Sequence, residues 1–128
     1  MKLTIEQALQ HGLAAHKQGK LQDAERLYQA ILQSQPTHAD ANHNLGLIAV
    51  SLNKVALALP LFKTALEAFP EIEQFWLSYI DALIKENQFE TARGVFVQGR
   101  KKGFLGEEFD DLEFQIKQLA ELTPDVKH

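Results

Sequence analysis

Residues 42–70, NHNLGLIAVSLNKVALALPLFKTALEAFP, hold two apolar patterns separated by a turn and closed by a proline. Asn42, Leu45, Gly46 and Ala49 recur at helical spacing, and Ala58, Phe62 and Ala65 do so after the turn, giving one buried stripe per helix. Asn53 stands where the chain must reverse, and asparagine tolerates positive φ at low cost. Pro70 cannot continue the helix before it and pushes the preceding residue to extended geometry. The pattern recurs 34 residues to either side: Ala24, Ala58 and Ala92 align, as do Gly12 with Gly46, Tyr28 with Phe62 and Phe96, and Pro36 with Pro70. Gly19, Asn53 and Asn87 fall in line at the turns. A sustained period of this length marks a stack of like supersecondary units.

The first unit carries its stripes on Ala8, His11, Gly12 and Ala15, then Leu21, Ala24, Tyr28 and Ile31. The third carries Trp76, Tyr79, Ile80 and Leu83, then Phe89, Ala92, Phe96 and Gly99. Gly12, Gly46 and the alanine of each second helix remove bulk where paired helices cross. An aromatic ring one turn later fills the space, as close packing requires. His11 falls on a stripe position and is expected in the core.

Trp-x-x-Leu-Gly-x-x-Tyr followed by Ala-x-x-x-Phe and a closing proline is the pattern of the tetratricopeptide repeat (TPR) family, which these units resemble. Leu45, Gly46, Ala58, Phe62, Ala65 and Pro70 carry the resemblance most fully. The third unit keeps Trp76, Ala92 and Phe96 but has Ile80 in place of the usual glycine and Phe104 in place of the usual proline; the first has Ala8 in place of the leading aromatic. The resemblance covers residues 5–104 and implies an all-α fold, a right-handed α-solenoid of three helix-turn-helix units at about 5–36, 39–70 and 73–104.

After the third unit, Gly99-Arg100-Lys101-Lys102-Gly103-Phe104-Leu105-Gly106 reads as a break with a basic cluster, leaving Phe104 and Leu105 exposed. Phe109, Leu112, Ile116 and Leu119 then define a seventh, capping helix over 106–121, whose acidic first turn suits the positive end of a helix dipole. Residues 122–128 are polar and expected to fray, so 1–128 reads as a single domain. Pro60 falls inside the second helix of unit two, where it removes a backbone hydrogen bond at a cost of about 3 kcal/mol and is expected to kink the helix.

Composition narrows the function. A net charge of -4 and a pI near 5.7 argue against nucleic acid as a partner, which would need a clustered basic face. No cysteine is present, which excludes disulfides and thiolate metal sites. Lys2 is followed by no apolar run, so a secretory signal is not expected. No window approaches the roughly 18 apolar residues of a membrane helix. A cytoplasmic chain is the default expectation, with no membrane insertion.

Nothing in the sequence points to catalysis, a cofactor or a metal. There is no Gly-rich phosphate loop, no nucleophile elbow and no His-Glu-x-x-His. His11 and His16, like His38 and His43, are five apart, which is not a spacing that lets one helix face hold a metal. Glu71 and Glu73 fall near a helix start, where carboxylates are electrostatically favoured without any catalytic role.

The resemblance further implies that the first helix of each unit lines a concave groove. The candidate contacts are Leu9, Leu13, His16 and Lys17 in unit one. Unit two offers Asp40, His43, Asn44, Leu47, Val50 and Ser51, and unit three Gln74, Leu77, Ser78, Asp81, Ile84 and Lys85. Leu9, Leu13, Leu47, Val50, Leu77 and Ile84 make this set apolar, as interaction surfaces often are. Chaperone-binding members of the family grip a terminal carboxylate with lysines, an arginine and asparagines. Of that clamp only Asn44 is matched, the equivalent places holding Leu9, Leu13, Gln74 and Ser78. The expected function is a non-catalytic protein-interaction module for a peptide or protein segment. One alternative is a substrate-positioning fragment, since Trp76–Leu83 and Gly99–Gly103 look similar to amino-terminal repeats of bacterial glycosyl- or sulfotransferase proteins. Another is a homo-oligomer that fills the groove with a second copy.

Overall fold

In the computed structural model, which describes residues 2–122, every regular element is a helix. The order is α1 (Ile5–Lys17), α2 (Leu21–Ser34), α3 (Ala39–Ser51), α4 (Val55–Ala68), α5 (Glu73–Lys85), α6 (Phe89–Lys101) and α7 (Glu107–Leu122). All seven sit where the hydrophobic period places them. The expected tail lies outside the described residues, apart from Leu122 at the end of α7.

The hairpin turns follow one rule. Gly19, Asn53 and Asn87 have φ of 77°, 61° and 61°, the left-handed region that glycine and asparagine enter most cheaply. That geometry turns the next amide back onto the helix just ended. Lys20 N–H donates to the Ala15 carbonyl at 2.9 Å, Lys54 to Ala49 at 2.8 Å, and Gln88 to Leu83 at 2.8 Å. Each bond satisfies a carbonyl that the helix end leaves orphaned. At the chain's start, Thr4 and Gln7 form a reciprocal capping box on α1, both bonds 3.0 Å.

Packing within the hairpins depends on the two glycines. A Cβ on Gly12 would lie 2.6 Å from the Tyr28 ring, and one on Gly46 only 2.4 Å from the Phe62 ring. Tyr28 and Phe62 are fully buried, each worth about 2–3 kcal/mol of apolar transfer. Ala24, Ala58 and Ala92 have no exposed surface at all.

A second periodic device lies at the joints between units. Trp76 Nε1 donates to the Pro70 carbonyl at 2.7 Å, and Asn42 Nδ2 donates to the Pro36 carbonyl at 3.1 Å. Asn42 also reaches the His38 carbonyl at 2.9 Å. Asparagine in unit two thus performs the bond that the tryptophan indole performs in unit three, and helps to seal the turn left by the proline.

The first helices touch along the stack, α3 against α5 and α5 against α7, while the second helices scarcely meet one another. α3, α5 and α7 therefore form the tighter, inner layer, and α1 takes the equivalent place in the first unit. α7 takes the place of a further first helix: Phe109, Leu112 and Ile116 share one core with Trp76, Ile80, Leu83, Ala92 and Phe96.

Two expectations change. His11 is exposed, whereas its equivalent Leu45 is buried against α2 of the preceding unit; α1 has no preceding unit among the described residues. Phe104 is half-buried, its ring 5.9 Å from Trp76 and 5.7 Å from Phe109, whereas Leu105 is exposed as expected. At Pro60, where a kink was expected, α4 continues as helix; Pro60 faces solvent, the lost bond falls near the helix start, and Thr64 Oγ1 donates to the Pro60 carbonyl.

Candidate interaction groove

The sixteen candidate residues lie on α1, α3 and α5, and their exposure is graded. Leu13 and Leu47, at equivalent places in units one and two, are 40% and 36% exposed. Leu9 and Val50 flank them, half-buried. A helix that gives one stripe to its partner helix and another to the neighbouring unit has little face left, so exposed leucines there are unforced by folding.

The third unit differs. Its equivalent of Leu13 and Leu47 is Asp81, which accepts from Lys85 Nζ at 2.8 Å across one helical turn. Such an exposed pair contributes less than about 1 kcal/mol and largely cancels its own field. Leu77 and Ile84, expected in the apolar strip, are both 7% exposed and belong to the core that α5 shares with α7. The capping helix covers them. Leu77→Asp would therefore bury a carboxylate and cannot serve as a groove probe.

His43 and Ser78 are likewise removed from the free surface, at 7% and 9% exposure. The imidazole lies between the Phe62 ring at 5.4 Å and the Phe75 ring at 4.9 Å. Its Nε2 meets Ser78 Oγ at 2.8 Å, and Gln74 Nε2 donates to the same hydroxyl at 3.2 Å. Burial holds the His43 pKa below its ordinary value, with the Asp40 carboxylate and the Asn44 side chain opposing that shift. A serine beside a histidine has the spacing of nucleophile and base. Here both sit mid-helix, where backbone N–H groups are committed to the helix ladder and none is free to stabilise an oxyanion. The bond ties α3 to α5.

Of the remaining candidates, Asn44 and His16 are half-buried, while Lys17, Asp40, Ser51 and Gln74 are exposed. Ser51 Oγ donates to the Ile48 carbonyl at 2.7 Å. Among the described residues no cluster of three His, Asp or Glu side chains could hold a metal, and no helix is long and apolar enough to cross a membrane.

A cavity of about 740 Å³ opens where α3 and α5 begin. Of its lining residues only Asp40 was among the candidates. The signal available in the sequence was the apolar pair Phe69 and Ile72 in a connecting turn, where solvent-facing polar residues are usual.

A family model described as tetratricopeptide repeat matches residues 9–71 and 43–99. No curated protein sequence matches significantly. Among solved structures, a mutant form of MamA is 24% identical over 98% of this chain and 75% of its own, with a TM-score of 0.77. The Sgt2 TPR domain from Aspergillus fumigatus is 15% identical, covering 94% of this chain and 82% of its own, TM-score 0.78. The TPR2B domain of yeast Sti1, in a pHsp70 complex, is 18% identical, covering 89% of this chain and 96% of its own, TM-score 0.78. At these identities the likeness is one of fold.

Proposed function

This chain belongs to the tetratricopeptide repeat family, and on that premise we propose that it is a non-catalytic module that binds a segment of another protein along the inner faces of α1 and α3. Residues 5–104 act as the binding unit and α7 as its cap. The observation that carries this reading is the exposure of Leu13 and Leu47, 40% and 36%, at repeat-equivalent places on the inner layer. Both are bounded by half-buried Leu9 and Val50, so an apolar side chain laid there would lose water on both sides.

The ligand is not a terminal carboxylate of the kind a cationic clamp selects. The Sti1 neighbour is a complex with pHsp70, but here Leu9, Leu13, Gln74 and Ser78 stand where such a clamp has its lysines, arginine and asparagines, and Ser78 is buried beneath Gln74. Asn44, whose side chain also bears on His43, bonds the ligand backbone. Affinity comes from apolar contact, is weakly dependent on salt, and is roughly micromolar for so short a strip.

The test is capture from source-cell lysate by the immobilised chain, its Leu13→Asp/Leu47→Asp variant and a Leu57→Asp control. Leu57 is 61% exposed on α4, in the outer layer. A protein retained by wild type and control but lost from the double variant supports the groove. Equal retention by all three sinks it.

A further inference from the structure

The repeat supplies its own control for the cavity where α3 and α5 begin. The turn after α4 presents Phe69 and Ile72, 55% and 43% exposed. One period earlier the same places hold Gln35 and His38, and one period later Gly103 and Gly106. Three units fold with three different residue pairs there, so the fold does not require apolar side chains at these positions. Unit two nonetheless exposes a phenyl ring and a branched aliphatic at the edge of a 740 Å³ cavity whose inner wall is Phe75 and Ala39.

The half-buried His38 imidazole lines it, its Nδ1 accepting from the Ala41 N–H at 3.1 Å, and the other titratable side chains around it are carboxylates. Asp40 lines this cavity, and Glu67 lines an adjoining one of about 440 Å³ that shares Thr37 and Phe69 with it. Glu71 follows in the same turn and is exposed. No lysine or arginine lines either cavity. Neither Asp40, Glu67 nor Glu71 takes part in an ion pair among the described residues.

The geometry points to a docking site for a linear segment of a partner protein that places one large apolar side chain, flanked by lysine or arginine, in the cavity bounded by Phe69, Ile72 and Phe75. This inference rests on the chain being a segment-binding module. It adds a chemistry, because the inner strip itself carries almost no net charge and would not distinguish a basic ligand from an acidic one. The apolar side chain supplies the contact and the carboxylates choose its neighbours.

The test is a titration of the isotope-labelled whole chain, followed by amide chemical shifts, at low salt. The probes are three blocked tetrapeptides, too short to occupy the groove: Lys-Phe-Leu-Lys, Glu-Phe-Leu-Glu and Lys-Ala-Ala-Lys. The expected result is movement of the Ala39, Asp40 and Phe69 signals with the first peptide, about tenfold tighter than with the second. The third peptide should leave them unmoved. Phe69→Ser should abolish the response, and Asp40→Asn/Glu67→Gln should shrink the preference to about twofold. Equal response to the basic and acidic peptides overturns the inference, as does no response up to millimolar peptide. Movement at Leu13 and Leu47 alone overturns it too, while leaving the groove reading intact. Failure of the groove reading shows separately, as captured ligands indifferent to Leu13→Asp/Leu47→Asp.

Discussion

Replacing Gly46 with alanine should destabilise the chain, although alanine is the better helix former by about 1 kcal/mol. The added Cβ would lie 2.4, 2.7 and 3.0 Å from three atoms of the Phe62 ring. That ring is 1% exposed and packed at a tilt against His43, so it cannot swing into solvent. Overpacking of a filled core costs about 1–3 kcal/mol, and contact with a locked ring places this case at the upper end. The net loss is then about 2 kcal/mol. An unfolding entropy of about 2.1 cal/mol/K per residue gives roughly 270 cal/mol/K for a chain of this length, so the midpoint falls by about 7 °C. Gly94 provides the counter-case: it lies within α6 with nothing inside 4 Å of its would-be Cβ. Gly94→Ala gains the propensity alone and should raise the midpoint by about 4 °C. Thermal melts by far-UV circular dichroism measure both variants. If Gly46→Ala is as stable as Gly94→Ala, the close approach of α3 to α4 is not what the glycine provides, and the packing argument fails.

Tyr28 is fully buried and its hydroxyl has no partner, so Tyr28→Phe should be neutral or stabilising by up to about 1 kcal/mol in urea titration. A loss above 1 kcal/mol would mean that the hydroxyl is satisfied in solution. His43 has its pKa lowered in the fold, chiefly by burial, relative to 6.5. The unfolded chain therefore takes up the proton first, and the stability of the α3–α5 joint is full above about pH 6.5 and declines as pH falls through the folded value. His43→Leu should flatten that part of the urea-midpoint profile; an unchanged slope would place the titration elsewhere. Asn42→Leu removes two bonds to turn carbonyls and should cost about 1–2 kcal/mol, against almost nothing for Asn44→Leu, in the same titration. Ala58→Asp should abolish the cooperative melt, because the site has no exposed surface and offers the carboxylate no partner.

The helices were legible because the units solve one problem with much the same residues. Stripe, alanine, aromatic and turn residue recur at one spacing in all three, glycine and proline in the first two, and each of the three turn residues takes the positive φ its identity suggests. What failed to read was anything set by position in the stack rather than within a unit. His11 occupies a slot that a preceding unit would cover, and Leu77 and Ile84 occupy slots that α7 does cover. A capping helix recognised from Phe109, Leu112 and Ile116 already implied a covered face on α5, so those two leucine-like positions were recoverable. The Asn42 bond to Pro36 was hidden for another reason. A carboxamide and an indole look unrelated in sequence, yet each places an N–H within reach of the equivalent proline carbonyl, Pro36 or Pro70. The cavity beside Phe69 and Ile72 joins two connecting turns, and no single helix pattern contains it.

The central claim, that the inner faces of α1 and α3 bind an apolar segment, is tested most directly with peptides selected by display against the whole chain. Their affinities should be measured for wild type, Leu13→Asp/Leu47→Asp and the outer-layer control Leu57→Asp. The account predicts peptides with spaced apolar residues, bound at roughly micromolar affinity, weakened more than about tenfold by the inner-layer double variant and unchanged by the control. Selected peptides that bind both variants as tightly as wild type, or that lose affinity to Leu57→Asp instead, would contradict it.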